Sequence, residues 1–110
     1  MYKEIKIIYS SSIKDELINL FEKFEIDKYV NIDGLHTVWE KNTKRLNTHI
    51  WPGTDSMMFS IMENEKSIEF LKELRIMKQN LREGIELFVL VSPIDEIIYG
   101  VCKLCINIFF

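Results

Sequence analysis

Residues 3–24, KEIKIIYSSSIKDELINLFEKF, pass from a strand pattern to a helix pattern across three serines. The segment Lys3–Tyr9 is rich in isoleucine and alternates as a mostly buried strand does. Ser10 to Ser12 predict a helix N-terminus, with Asp15 as a capping-box-like partner. Apolar residues then recur at spacings of three and four, which predicts one buried stripe: Ile13, Leu17, Leu20, Phe21 and Phe24. The stretch therefore predicts a strand followed by a helix that packs on a sheet and ends near Phe24.

The middle of the chain contains two further strand patterns separated by a basic, polar segment. Tyr29 to Trp39 is rich in β-branched and aromatic residues, and Gly34 inside it is a natural place for a bulge. Residues 40–48 have no periodic apolar face, which predicts an exposed loop. After a Pro-Gly turn, Ser56 to Met62 predicts the third strand.

The second half repeats the helix and strand patterns. Asn64 is predicted as the helix N-cap, and the helix ends near Gln79 and Asn80. Its predicted apolar stripe is Ile68, Leu71, Leu74 and Met77. Ile85 to Val91 is apolar on both faces, which is typical of a central strand, and Pro93 is predicted to stop it.

The element order is thus β-α-β-β-α-β. It predicts an α+β, ferredoxin-like sandwich in which a four-stranded antiparallel sheet carries two helices on one face. The other face would expose apolar side chains, predicted as Ile8, Met58, Met62, Phe88 and Leu90. A contiguous patch of that kind usually marks an interface, so the sequence predicts a homo-oligomer.

Length and composition predict one folded domain. The chain has 110 residues, of which 47% are hydrophobic and 28% charged. This balance is normal for a globular protein, and we expect a domain over 1–93 with an extension, 94–110, packed on it or on a neighbouring subunit. The N-terminus lacks a signal-peptide pattern and no apolar stretch reaches the length of a membrane span, which favours the cytoplasm.

A net charge of −3 argues against general nucleic-acid binding. The strand SMMFSIM supplies only Phe59 as a base-stacking aromatic, so RNA recognition is not expected either. The sequence also shows no nucleophile elbow, no His/Asp pair beside a reactive cysteine and no paired catalytic carboxylates. We therefore expect a binding protein, not an enzyme.

The string Thr48-His49-Ile50-Trp51-Pro52-Gly53 is the most unusual local sequence. It fits a structural histidine and a tryptophan packed at a sheet edge. It also fits the wall of a binding site, where His49 contacts an anion and Trp51 covers an apolar ligand surface. Physical reasoning alone leaves both interpretations open.

The basic residues of the loop, Lys41, Lys44 and Arg45, form either a solvated surface or a contact for an anionic ligand or partner. Arg82 beside Gly84 is a second candidate, because a guanidinium and the amides of a glycine turn can hold a phosphate or carboxylate.

A metal site is a weaker alternative. His36 and His49 could meet, but neither Asp33 nor Asp55 completes a defined ligand spacing with them. Cys102 and Cys105 form a C-x-x-C among apolar residues, which favours small, reduced, buried side chains in an extra strand. No resident metal or cofactor is therefore predicted.

With this element order and the THIWPG string, the chain resembles the PII-like signalling proteins, in particular a short-looped branch with a T-H-x-W-P motif. The resemblance covers roughly residues 3–91. It implies a trimer with ligand clefts between subunits, beneath the loop that would run over residues 40–47. Such proteins sense a small anionic metabolite or nucleotide and act through that loop on a partner such as a membrane transporter. The cleft wall would comprise Gly34, His36, His49, Trp51, Arg82 and Gly84.

Two other functions stay open: a metal-ion-binding trimer of the CutA-like type, using His36, His49 and the two cysteines, and a purely structural oligomerising module.

Overall fold

The computed structural model of the chain describes residues 1–100, so the predictions for Cys102, Cys105 and an added strand lie outside the described residues. Its elements are β1 (Tyr2–Ser10), α1 (Lys14–Lys23), β2 (Val30–Leu35), β3 (Thr37–Glu40), β4 (Thr43–Arg45), β5 (Asp55–Glu63), α2 (Asn64–Gln79) and β6 (Leu87–Ile94). The main sheet is antiparallel, in the order β2-β5-β1-β6, and β3 and β4 form a separate two-stranded sheet. The predicted ferredoxin-like α+β sandwich is confirmed. Neither helix in this part of the chain is long and apolar enough to cross a bilayer.

The core lies between one face of the sheet and the two helices. Successive residues of a strand point to opposite faces, so β1 buries Ile5, Ile7 and Tyr9 against the helices. The remaining buried core residues are Ile13, Leu17, Leu20, Phe21, Ile26, Met58, Met62, Phe70 and Leu74.

The opposite, open face of the sheet carries a different set of side chains from the one predicted. Met58 and Met62 are buried on the helix side, so placing them on the open face was wrong. Directly paired residues of an antiparallel sheet share a face. Ile8 pairs with Met57 and Phe88, and this register assigns the open face to a set that includes Ile8, Val30, Ile32, Met57, Phe59, Ile61, Phe88 and Leu90.

The serines before α1 do not cap it in the predicted way. Residues Ser11–Ile13 form a 3-10 turn, and α1 starts at Lys14 with no side-chain cap hydrogen bond. The Ser11 hydroxyl instead donates to the carbonyl oxygen of Thr54 at 3.0 Å and lies 2.9 Å from the Ser56 hydroxyl. Since these serines bond to β5, they tie the start of α1 to the sheet.

The helix α2 also buries a different stripe. Phe70 is fully buried and Ile68 is 48% exposed, although Leu74 and the partly buried Leu71 and Met77 follow the prediction. Its N-cap is Glu63, one residue before the predicted Asn64, and it makes no side-chain cap hydrogen bond. Phe70 meets Phe21 and Phe24 edge to face, with ring centroids 5.2 and 5.5 Å apart.

The predicted second strand is two strands. The register of β2 against β5 shifts between Ile32 and Leu35, where Gly34 has φ +76°, so the predicted bulge is confirmed. The chain then leaves the main sheet at His36, and β3 turns back into β4. The prediction of an irregular loop over 40–48 was wrong, because Thr43–Arg45 pairs with β3.

The last strand, β6, lies at an edge of the sheet within the described residues, not at its centre. It continues through Pro93 to Ile94, with Pro93 paired to Lys3. An edge strand tolerates proline, because its missing N–H need not serve a second neighbour. The apolar residues on both faces reflect helix packing on one side and the open face on the other.

The C-terminus of α1 offers a test of backbone strain. Glu25 has φ +56°, while its N–H donates to Glu22 and the N–H of Ile26 donates to Phe21, the pattern of a Schellman cap. Glycine adopts this conformation without a Cβ penalty, so Glu25→Gly is expected to raise the free energy of unfolding by about 1 kcal/mol. Denaturant unfolding checks this, with Glu25→Ala as the control. An equal gain in both variants would show that the backbone is not the cause.

Candidate functional site

A basic hairpin, residues 37–45, lies across one end of the open face. Its strands pair Thr37 with Arg45 and Val38 with Lys44. The Trp39 ring packs on Phe88 of the open face, with centroids 5.0 Å apart. The hairpin is thus attached to the sheet by β3, and the candidate site is the junction beneath it.

Two acidic side chains are placed at this junction by the strand register. Ser10, the last residue of β1, pairs with Asp55 on one side and donates its N–H to the carbonyl oxygen of Glu86 on the other. Residues that flank the same position of a central strand point to the same face. Asp55 and Glu86 therefore reach toward each other across the end of β1.

Asp55 is completely buried. Its Oδ2 accepts hydrogen bonds from the Thr37 hydroxyl at 2.6 Å and the Trp39 indole N–H at 2.9 Å, both from β3. Its Oδ1 is buried and has no hydrogen-bond partner within the described residues. One carboxylate thus holds the first strand of the hairpin.

Glu86 holds the second strand. Its Oε2 lies 3.2 Å from Nη2 of Arg45, which also donates to the carbonyl oxygen of Gly84. Its Oε1, like Asp55 Oδ1, is buried without a partner in residues 1–100. Burial first, and then the adjacent Asp55 carboxyl, raise the pKa of Glu86 to about 7, and the Arg45 guanidinium opposes this rise.

The THIWPG string forms a tight turn beside the hairpin. Thr48 accepts the Trp51 N–H on its hydroxyl oxygen and donates its own N–H to the Trp51 carbonyl, each at 2.9 Å. Trp51 is half-buried, and the Lys44 ammonium lies 5.1 Å from its ring centroid, within cation–π range. His49 is exposed at this turn.

A second polar group lies near Gly34, on the other side of β5. The Asp33 carboxyl accepts from the Asn31 amide at 3.0 Å, the Ser56 hydroxyl at 2.8 Å and the Lys14 ammonium at 3.1 Å. These donors, the Asn31 amide first, lower the pKa of Asp33 to about 2. Asp33 is therefore an anion that is already satisfied by its neighbours.

The structure brings some of the predicted site residues together and separates others. Arg45 and Gly84 are in contact, and Lys44 reaches Trp51. His36 is exposed between β2 and β3. Arg82 lines a cleft of about 350 Å³ between the ends of α1 and α2, away from the hairpin. The cation at the Gly84 turn is thus Arg45, which the sequence analysis assigned to the loop.

Metal ligands do not converge in the part of the chain that the structure describes: residues 1–100 contain no cluster of three or more His, Cys, Asp or Glu side chains suited to a metal.

The sequence analysis missed the carboxyl pair. It considered Asp55 only as a neighbour of the histidines and did not single out Glu86. The available signal was an acidic residue at the start of each of two otherwise apolar strands. Without the strand order, nothing indicated that both flank the end of β1.

No family model matches the chain, and no curated protein matches it at the level of sequence. The fold, however, is that of the PII-like proteins, so the predicted resemblance is confirmed at the level of structure.

The similar solved structures come from two organisms. CPII from Thiomonas intermedia K12, bound to ADP and bicarbonate, superposes with a TM-score of 0.65 at 13% identity, over 86% of this chain and 89% of that one. A structure of CPII with ADP, AMP and bicarbonate gives a TM-score of 0.63 at 13% identity, over 88% and 96% of the chains. A protein of Thermus thermophilus described as a putative PII-like signalling protein gives 0.59 at 13% identity, over 83% and 84%.

Proposed function

We propose that the chain is a non-enzymatic, PII-like regulator that assembles as a homotrimer and binds a small anionic metabolite or nucleotide between subunits. The observation that carries this proposal is the position of the basic hairpin at the end of an open apolar sheet face. This arrangement places cations where a second subunit would complete a cleft.

The open face supports the assembly. Val30, Ile32, Phe88 and Leu90 are between 40 and 48% exposed in the single chain. Apolar patches of this kind, rimmed by polar residues, usually mark protein interfaces. A closed ring with the sheets facing inward would cover the patch in every subunit.

The basic residues support an anionic ligand. Arg45 is paired with Glu86, whereas Lys41 at the tip of the hairpin is exposed and Lys44 projects over Trp51. An ammonium and an indole face together suit a ligand with an anionic and an aromatic part, such as an adenine nucleotide. ADP and bicarbonate, which CPII binds, are therefore the first ligands to test.

Ligand screening by thermal unfolding tests the proposal. A ligand that binds only the folded protein raises the midpoint by mass action, by about 10 °C when its concentration is about 100 times Kd. We expect a rise with ADP, with or without bicarbonate, and a smaller one in Arg82→Ala and Lys44→Ala. Arg75→Ala and Lys72→Ala, exposed cations of α2, are the matched controls.

Other outcomes favour the alternatives. A rise with divalent metals only, abolished by His49→Ala, would replace the proposal by a CutA-like metal-binding trimer. No rise with nucleotides, bicarbonate, carboxylates or metals would leave a structural oligomerising module.

The partner belongs to the same proposal. The exposed tip of the basic hairpin would contact a regulated protein, such as a membrane transporter, from the cytoplasm. The extension 94–110 would pack on its own domain or on a neighbouring subunit. Of that extension, β6 includes Ile94.

A further inference from the structure

The junction beneath the basic hairpin contains two buried oxygen atoms that lack partners among residues 1–100, Asp55 Oδ1 and Glu86 Oε1. A buried polar atom without a hydrogen bond is costly, and native proteins rarely leave one. Two such atoms on facing carboxyl groups have a simple solution. A single proton on one carboxyl donates to the other and satisfies both.

We propose that Asp55 and Glu86 together bind one proton, and that this proton fastens the basic hairpin to the sheet. The proton lies on Glu86 Oε1 and is donated to Asp55 Oδ1. The inference rests on the arrangement of the pair and does not depend on which ligand the protein binds.

The charges around the pair fit one proton better than a metal ion. Asp55 comes from β5 and the Arg45 guanidinium from β4, while β3 contributes the neutral donors Thr37 and Trp39. Ser10 of β1 lies between the two carboxyls. Divalent Mg²⁺ or Ca²⁺ needs six or more oxygen ligands, and Arg45 would repel it. With one proton, a single negative charge faces a single guanidinium.

Each strand of the hairpin depends on one member of the pair. Thr37 and Trp39 of β3 donate to Asp55, and Arg45 of β4 bonds to Glu86. Loss of the proton puts two negative charges in a buried space that contains one cation. Like charges at this distance repel strongly where water is excluded. The carboxyls then separate, and the contacts of both strands loosen.

The direction of the pH dependence follows. The pKa of Glu86 in the fold is about 7, against a usual 4.5, so the folded protein binds this proton more tightly than the unfolded chain. The stabilisation is complete below the usual value and is lost as pH rises through about 7. The hairpin is therefore expected to be fastened in acid and loosened above neutrality.

An NMR titration of the full chain from about pH 5 to about pH 9 tests this, with the Glu86 carboxyl carbon and the Trp39 indole N–H as probes. We expect both signals to move with one midpoint near 7, and the Trp51 indole to serve as the internal reference. In Glu86→Gln, whose amide donates to Asp55 at every pH, the Trp39 signal should stay constant. Glu83→Gln, an exposed acid of the same turn, should behave as the wild type.

Three results would overturn the proposal: a Glu86 midpoint at the ordinary carboxyl value, a Trp39 indole that titrates in Glu86→Gln as in the wild type, or a midpoint lowered by millimolar MgCl₂, which would replace the proton by a cation. The Glu86 titration of the wild type decides the question even if Glu86→Gln does not fold.

Discussion

Replacing Phe70 by alanine is expected to lower the free energy of unfolding by about 3–5 kcal/mol. Phe70 is fully buried beneath the sheet and contacts Phe21 and Phe24 edge to face. The substitution removes the apolar contacts, leaves a cavity and breaks both aromatic pairs. Denaturant unfolding of the two proteins under identical conditions measures the loss.

Ile68→Ala is the matched control, because Ile68 lies two residues earlier on α2 and is 48% exposed. Its loss should stay below about 1 kcal/mol. The comparison separates the observed packing of α2 from the stripe that the sequence predicts, in which Ile68 is buried and Phe70 is not named. Equal losses in the two variants would contradict the observed orientation of the helix.

Leu90→Asp is expected to convert the oligomer into single chains without unfolding them. Leu90 lies on the open face and is 48% exposed in the single chain, so the fold tolerates a carboxylate there. Between subunits, the same carboxylate would be buried without a partner, which costs several kcal/mol in each subunit. Light scattering after gel filtration measures the mass, and far-UV circular dichroism confirms that the chain stays folded.

Ile68→Asp provides the control for this change too, since Ile68 has the same exposure but lies on α2. It should leave the oligomer intact. Dissociation in both variants, or in neither, would mean that the open face is not the interface.

Local patterns were sufficient to predict the fold. The isoleucine alternation of β1 and the three-four spacing of α1 each depend on neighbours a few residues away, and both predictions hold. Errors arose where two faces were equally apolar. In MMFSIM, either parity gives an apolar face, and only the pairing of Ile8 with Met57 decides which one the helices cover.

The candidate site was less predictable, because it depends on contacts between distant segments. Arg45 and Glu86 are far apart in the chain, and their ion pair exists only because β4 folds back over the end of β6. The hairpin itself was hidden, since Thr43–Arg45 is short, polar and without an apolar face. Gly34 was the exception, because a glycine inside a strand pattern already indicates a bulge.

The central claim is that three copies of this chain form the ligand clefts of a PII-like regulator. Native mass spectrometry of the full chain with ADP tests it most directly, because one spectrum gives both the number of subunits and the number of bound nucleotides. The account predicts a particle of about three times the 13.1 kDa chain mass that carries ADP. A particle with the mass of one chain and no bound nucleotide would contradict it.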